Sequence, residues 1–386
     1  MGSGGEALSV VIFSRNFFGA ERRFFRIVAA LRGLAVPVDV VLVINSSLLE
    51  SASRVDWAHR TMEDLRGASR LVVIPDRISH LPLTTRIHTL PRLLLGRLPM
   101  HALLRAWPVA VLRSVLGLPT VYEFTSPVGA ERYARSARPS TLRRLTAIRC
   151  LTPTIEKRLM STLRERRLSD ATLADISARV HTASSPYFDS PADGVDFSLK
   201  RPVVASASRF IPRKNVLLIA QALAEALPRM EGWSAAIMGK GEDEPQIREV
   251  LADLMTAGRV SVGYRSDVEE VLRQSSVYVS LIEPDNYPSQ GVLEAMNYGN
   301  ALLLGNSGDS GRFIGDPPNG TVVDLELTAV VEALIDLSRD RQTLEGMGKL
   351  SQARIATAFA PAAHIRELLG LHGLASVYSP ARTMLS

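Results

Sequence analysis

Three segments between Ala205 and Leu304 carry residue types that suit one chemistry. The first, Ala207-Ser208-Arg209-Phe210-Ile211-Pro212-Arg213-Lys214, sets cations directly after an apolar run. Arg209 offers a planar fork of donors and Lys214 a point charge, and both suit phosphate oxygens. Taken alone, such a pair reads better as solvated loop cations; its place between a buried strand and a helix lifts the phosphate reading. The second, Ile237-Met238-Gly239-Lys240-Gly241, puts two glycines where a strand turns toward a helix. Glycine lets a backbone approach a ligand closely, and a helix amino end favours anions, although an ordinary turn has the same look.

The third segment runs from Asp285 through Asn286, Tyr287, Pro288, Ser289 and Gln290 to Gly291, and on through Glu294 to Gly299. A helix beginning near Gly291 would leave free N–H groups at its positive end. Glu294, expected in the first turn, can accept both hydroxyls of a ribose or can complement the helix dipole; position does not separate the two. A similar glycine loop, Phe18-Gly19-Ala20-Glu21-Arg22, follows the first apolar run, and Glu21 reads best as a first-turn helix charge. Together these features are what a chain needs to hold a nucleoside diphosphate.

The elements that must position them alternate. Leu8–Phe13, Val38–Ile44, Arg70–Ile74, Thr120–Phe124, Thr146–Leu151 and Ala178–Thr182 read as short buried strands. Glu21–Leu31, Thr61–Gly67, Leu90–Leu95, His101–Leu116 and Thr154–Arg166 read as helices. Ser184–Arg201 has the texture of a linker. The alternation then resumes, with strands over Pro202–Ala207, Ser234–Met238, Val260–Val262, Val277–Leu281 and Ala301–Leu304. Helices are expected at Asn215–Leu227, Glu244–Ala257, Asp267–Gln274, Gly291–Tyr298, Leu327–Asp340, Thr343–Phe359 and Ala362–Leu371. The expected fold class is α/β: two doubly wound, Rossmann-like domains, residues 8–190 and 200–360, with a ligand where strand carboxyl ends face each other.

Length and composition agree. The chain has 386 residues and is 46% apolar, enough for two cores and too much for disorder. One cysteine, Cys150, excludes a disulfide framework and any multi-cysteine metal site, and fits a reducing cytoplasm. Met1 to Ala7 lacks a basic n-region, so no secretory signal is expected, and no apolar run is long enough to span a bilayer. None of the seven histidines shows metal-ligand spacing, so no metal site is expected, and His101 reads as a structural histidine.

The net charge is +6, unevenly spread. From Ser79 to Arg149 there are eleven arginines, no lysine and two glutamates, a local excess of +9. That face suits an anionic partner, such as a membrane or a diphosphate lipid, as well as it suits a plain solvated surface. No stacking motif or basic helix-turn-helix accompanies it, so nucleic acid is not an expected partner.

At these residues the chain resembles glycosyltransferase family 4, the retaining GT-B enzymes, best over Val203 to Val323. The order Arg209-x-x-x-x-Lys214, Gly239-x-Gly241, Val262-Gly263-Tyr264-Arg265-Ser266-Asp267, Tyr287-Pro288 and Leu293-Glu294-Ala295-Met296-x-x-Gly299 follows the family pattern, and Asn319-Gly320-Thr321-Val322-Val323 resembles its later turn. In the first domain Gly19-Ala20-Glu21 resembles a Gly-Gly-Ala-Glu loop with one glycine missing. Gly117–Glu123 and Cys150–Lys157 are similar to further stretches of the family.

The resemblance implies a GT-B fold in which residues 361–386 form a helix and tail returning to the first domain. It implies a donor site for a UDP- or GDP-linked sugar. Arg209 and Lys214 would bind the diphosphate and stabilise its departure, Glu294 would hold the ribose, and Gly19, Gly239, Gly241 and Asn286–Gln290 would line the donor. No metal or cofactor beyond the nucleotide sugar is implied, and the reaction would retain the anomeric configuration.

Two departures follow. Asn286 stands eight positions before Glu294 where the family has Glu, which makes Asp285, aligned on Tyr287-Pro288, the preferred first acid. Thr125 stands where the family often has His, which leaves Glu123 and Thr125 as acceptor-side candidates. The expected protein is a metal-independent hexosyltransferase acting on an anionic, lipid-linked or polysaccharide-type acceptor. Its expected station is the cytoplasm, on the inner face of the cell membrane where the Arg- and Leu-rich stretch Leu90–Leu116 meets lipid. The competing readings are a non-catalytic nucleotide-sugar-binding homologue and, less well supported by so few histidines, a sugar-nucleotide epimerase.

Overall fold

A parallel sheet organises each of two α/β units in a computed structural model, which describes residues 7–14, 19–34, 36–44, 70–74, 90–183, 186–187 and 195–376. The chain divides into Met1–Phe188 together with Pro361–Ser386, and Asp189–Ala360.

In the first unit the strands are β1 (Leu8–Ser14), β2 (Val38–Ile44), β3 (Arg70–Ile74), β4 (Met100–Leu104), β5 (Thr120–Phe124), β6 (Ala147–Cys150) and β7 (Val180–Thr182). They pair in the order β3-β2-β1-β4-β5-β6-β7, and each described pairing is parallel. The helices are α1 (Gly19–Gly33), α2 (Leu90–Leu95), α3 (Trp107–Val115), α4 (Pro127–Ser136), α5 (Pro139–Arg144), α6 (Pro153–Glu165) and α7 (Asp170–Ser177).

The second unit holds β8 (Arg201–Ala207), β9 (Ser234–Met238), β10 (Val260–Gly263), β11 (Ser275–Ser280), β12 (Ala301–Gly305) and β13 (Gly320–Val323), in the order β10-β9-β8-β11-β12-β13. Its helices are α8 (Val216–Ala226), α9 (Glu244–Val250), α10 (Ala252–Thr256), α11 (Val268–Gln274), α12 (Gln290–Asn297), α13 (Leu327–Ser338) and α14 (Arg341–Thr357). The closing helix α15 (Pro361–Leu371) belongs to the first unit. Both orders reverse direction beside the first strand of the unit, the switch point at which doubly wound sheets open a crevice at their carboxyl ends.

The structure corrects the sequence in several places. His101–Leu116 is not one helix: Met100–Leu104 is strand β4, seated between β1 and β5, and the helix begins at Trp107. A short, mostly apolar run reads the same way in a buried strand and a buried helix; Pro99 precedes the strand and Pro108 stands in the first turn of the helix. Gly320–Val323 is the edge strand β13 rather than a turn. Glu244–Ala257 breaks at Leu251 into α9 and α10. Helices α4, α5 and α7 were not expected, although Ser126 and Ser169 cap α4 and α7 through their hydroxyls. The Thr61–Gly67 expectation lies outside the described residues. No described helix is long and apolar enough to cross a membrane.

The first sheet has two unlike faces. On one, Met100, Ala102, Tyr122, Phe124, Ile148 and Cys150 meet Trp107, Ala130 and Leu159 from α3, α4 and α6. On the other, Val10, Ile12 and Leu103 pack beneath α1 and α15, whose Ile365, Leu368 and Leu369 join the same apolar cluster. Further along this second face the side chains turn polar: His101 on β4, Glu123 on β5 and Arg149 on β6, each 0% exposed.

Candidate nucleotide-binding site

The loop after β8 begins where Ser208 N donates to Met238 O and Phe210 N donates to Lys240 O. These bonds lay the cation loop along the glycine loop. A β-carbon on Gly239 would drive into the Ser208 carbonyl, and one on Gly241 into the Phe210 carbonyl. The sequence assigns the two glycines to close approach of a ligand; the backbone that approaches them is the neighbouring loop of the same unit. Their contribution is to let two loops lie together at the carboxyl end of the sheet.

A short 3-10 turn, Pro212–Lys214, ends at Asn215, which adopts φ 50° and ψ 33°. Asn tolerates this left-handed conformation better than most side chains. Asn215 Nδ2 then donates to Leu281 O and to Glu283 Oε2, each at 2.9 Å, and Glu283 N donates to Arg213 O. The cation loop is thereby fixed to the segment that follows β11.

The loop gathers three cations. Burial, followed by the fields of Arg213 and Arg209, brings the Lys214 ammonium down to about 8. Burial and Arg209 lower Arg213 as well. Cations that depress one another suit an anion, which would remove the repulsion and replace the lost water. Arg213 was not singled out in the sequence, where nothing distinguishes it from a solvated neighbour of Lys214.

The segment from Asp285 to Glu294 approaches the same end of the sheet. Tyr278 Oη donates to Ala207 O at 3.1 Å, and a β-carbon on Gly291 would meet that hydroxyl at 2.7 Å and Ala207 O at 3.5 Å. The amino end of α12 therefore lies against the end of β8, where the cation loop starts. Ser289 forms the N-cap without a side-chain bond to the first turn, so those N–H groups keep their direction. Gln290 Nε2 is a buried donor with no partner among the described residues.

Glu294 needs a correction. The helix starts at Gln290, so Glu294 sits in its second turn and the first turn holds no acid. The dipole effect fades within one turn, which removes the plain reading of Glu294 as a dipole complement. The carboxylate is half-buried and raises the neighbouring Tyr278 hydroxyl, after burial itself.

Other donor-side expectations separate. Asn286 is 3% exposed; its Oδ1 accepts from Ser280 Oγ at 3.2 Å and its Nδ2 reaches Ser280 O at 3.4 Å. The Tyr287 ring packs 4.9 Å from Phe313 in the core. Both side chains hold the loop rather than line a site. Pro288 and Ser289 are half-buried ahead of α12. Asp285 Oδ1 accepts from Tyr287 N and Asp309 N, both at 3.0 Å, which ties this loop to the one after β12. Burial raises the Asp285 carboxyl above its ordinary value against those two bonds.

In the first unit, Gly19 opens α1. Thr125 is half-buried directly after β5, ahead of the Ser126 cap. Glu123 cannot face an acceptor: it is 0% exposed and paired with Arg23 and, at 2.7 Å, with Arg149. Its role is internal charge balance. Among the described arginines of the basic stretch, Arg113 and Arg149 are also fully buried. Arg113 donates to the carbonyls of Leu94, Gly96, Leu98 and Pro119, and burial brings it to about 10. Arg135 pairs with Glu131, which the formal excess already counts, and Arg143 pairs with Asp175 from outside the stretch. No group of three or more potential ligand side chains gathers for a metal among the described residues.

With this geometry, the comparisons with known proteins fall into place. The profile of the family described as Glycosyl transferases group 1 matches residues 193–354. The lipopolysaccharide core biosynthesis glycosyltransferase LpsE of Rhizobium meliloti (strain 1021) is 28% identical over 190 residues, covering 49% of this chain and 52% of that protein. A GDP-mannose-dependent phosphatidylinositol monomannoside mannosyltransferase of Mycolicibacterium smegmatis is 28% identical over 158 residues, 38% of this chain and 41% of its own. The matches thus span about half the length of these curated relatives or less.

Among solved structures, a glycosyltransferase from Rickettsia africae ESF-5 superposes with a TM-score of 0.69 at 14% identity, over 96% of this chain and 98% of that one. The pneumococcal O-GlcNAc transferase GtfA, solved with UDP and GlcNAc, reaches 0.69 at 10% identity over 96% and 99%. The fold is therefore GT-B, two Rossmann-like units. Residues 193–354, which carry the cation loop, both glycines and Glu294, match the family described as Glycosyl transferases group 1.

Proposed function

We propose that this protein is a retaining, metal-independent hexosyltransferase that moves a sugar from a UDP- or GDP-linked donor to an anionic, lipid-linked or polysaccharide-type acceptor. The observation that carries this reading is the gathering of Arg209, Arg213 and Lys214 on a loop pinned beside the uncapped amino end of α12. A diphosphate would accept from those cations and from the first-turn N–H groups, and Gln290 Nε2 would gain a partner. Glu294, one turn further along, would accept the ribose hydroxyls, with Asp285 beside the sugar.

In transfer, the bond from the anomeric carbon to the diphosphate breaks and a bond to the acceptor oxygen forms on the same face. The diphosphate leaves with the electron pair, and one of its oxygens takes the acceptor's proton. Arg209 and Lys214 would offset the charge that develops on it, the task for which fixed cations are most effective. A metal is not needed for that step. The relatives' names, a lipopolysaccharide core biosynthesis glycosyltransferase and a phosphatidylinositol monomannoside mannosyltransferase, support a lipid-linked acceptor.

A panel of UDP, GDP, ADP, CDP and dTDP tests the donor. The expected result is a raised melting temperature with UDP or GDP alone, by mass action. Turnover of the corresponding nucleotide sugar, undiminished by EDTA and giving an α-linked product from an α-linked donor by NMR, completes the test. Binding without turnover of any sugar favours the non-catalytic homologue, and no shift with any nucleotide overturns both readings.

The acceptor reading places the protein at the inner face of the cell membrane. Leu95, Leu112, Val115 and Leu116 are exposed at the ends of α2 and α3, and the sequence has no acidic residue between Asp76 and Glu123. Sedimentation with phosphatidylglycerol vesicles should carry the protein down at low salt, and Leu112→Asp/Leu116→Asp should leave it in the supernatant. Equal sedimentation of both proteins would remove this surface from the reading.

A further inference from the structure

Six buried side chains of the first unit form one connected cluster that the transfer chemistry does not use. Glu123 lies at its centre. One carboxylate oxygen accepts from Arg23 on α1, and the other accepts from Arg149 Nη1 at 2.7 Å. The second oxygen also lies 3.4 Å from His101 Nε2. His101 Nδ1 is 3.2 Å from His372 Nε2, in the turn that ends α15. Arg149 reaches α15 twice more, with Nη2 3.1 Å from His364 Nδ1 and Nε donating to Glu367 Oε1 at 3.2 Å. Arg23, His101, Glu123, Arg149, His364 and His372 are all buried, and Glu367 is at the rim.

With both rings of the His101–His372 pair neutral, these distances fit one proton arrangement. His372 donates from Nε2 to His101 Nδ1, and His101 directs its own Nε2–H toward Glu123. An extra proton on the pair would share a fully buried site with the charges of Arg23 and Arg149, against the Glu123 carboxylate.

We propose that His101 and His372 form a proton-sensitive lock, which seats α15 on the first unit while both rings are neutral and releases it when the pair takes up a proton. Beneath the lock, Ile365, Leu368, Leu369 and Leu374 supply the apolar contact that closes it again.

The sign follows from the surroundings. Burial lowers His101 from its ordinary value of 6.5, with Arg149 and Arg23 acting the same way and Glu123 opposing them. Burial, His101 and Arg149 lower His372 well below the same value. The released helix therefore binds protons more readily than the seated one. Seating is strongest above about 6.5 and weakens as pH falls below it, by about tenfold per pH unit for each proton linked. Glu123, held well below its ordinary value by Arg23 and Arg149 against its own desolvation, loses its stabilising charge only at lower pH.

Hydrogen exchange of the full chain tests this, read at the amides of Ile365–Leu374 and corrected for intrinsic rate. Between about pH 7.5 and about pH 5.5 the wild type should lose at least about tenfold of its protection there. In His101→Gln/His372→Gln, which keeps the amide donors and cannot take up the proton, protection should be nearly flat over the same range. Wild-type protection that does not change, or an equal loss in the double variant, overturns the lock. A wild-type NMR titration covers the case in which the double variant does not fold. The His101 and His372 ring signals should titrate in step with loss of the α15 signals. Rings that titrate near 6.5 while α15 stays in place would overturn the proposal.

Discussion

Lys214→Met will weaken diphosphate binding by about 10- to 100-fold and remove its pH dependence above neutrality, as measured by calorimetric titration with the nucleoside diphosphate that raises the melting temperature. The size follows from one charge-assisted hydrogen bond, worth about 1.5–3 kcal/mol, with about 1.4 kcal/mol for each tenfold. The pH dependence follows from the lowered ammonium, which titrates at about 8. The anion prefers the charged form, so wild-type affinity is full below that value and falls as pH rises through it, and binding takes up a proton. Lys214→Arg keeps the charge at every pH, so its affinity should stay level. Arg209→Ala/Lys214→Ala should abolish detectable binding. Single-turnover rates should fall further than affinity, by about 10²–10³ for either single variant, because charge on the diphosphate grows in the transition state. Wild-type affinity that is level from about pH 7 to about pH 9.5 would show that Lys214 does not touch the diphosphate.

Glu123→Ala will remove the only buried carboxylate between Arg23 and Arg149, and the first unit should lose about 3–5 kcal/mol. That is a large fraction of the stability a domain usually has. Urea titration followed by hydrogen exchange in β4, β5 and β6 reads the first unit separately from the second. Glu131→Ala, on an exposed pair with Arg135, should cost about 0–1 kcal/mol in the same measurement. Equal losses in the two variants would mean that the cluster is wetter and weaker than its burial implies. Replacing Glu123, Arg23 and Arg149 together by Met should be far milder than the single change, since no unpaired charge then remains inside.

The second unit was far more legible in the sequence than the first. Its strands are short and mostly apolar, and Arg209, Lys214, Gly239 and Gly241 come soon after them, so order alone placed these residues at one sheet end. What order does not give is direction. Asn286 and Tyr287 sit between Asp285 and Ser289 in sequence, yet one bonds back to Ser280 and the other packs on Phe313. The fault in the first unit was β4. Met100–Leu104 carries no alternation because both of its faces are buried, and once it was read as helix His101 had no place in a sheet. Glu123 looked like a ligand residue because a carboxylate near a strand end is one in many sites. Its partners, Arg23, Arg149 and the three histidines, lie up to 271 positions apart in pairwise contact, a separation no local pattern records.

The first unit is assembled from both ends of the chain, and this has a consequence for how the protein is made. During synthesis, residues 201–357, from β8 through α14, leave the ribosome as an unbroken stretch that contains every strand of the second sheet. The earlier unit must wait. Until His364, Glu367 and His372 have emerged, Arg149 and His101 lack their last partners, and Val10, Ile12 and Leu103 lack part of their cover. The amino-terminal half is thus the last to be finished. A nonsense codon just after Ala360 would spare the second unit and leave the first open, so quality control would find the fault some two hundred residues upstream of the missing piece.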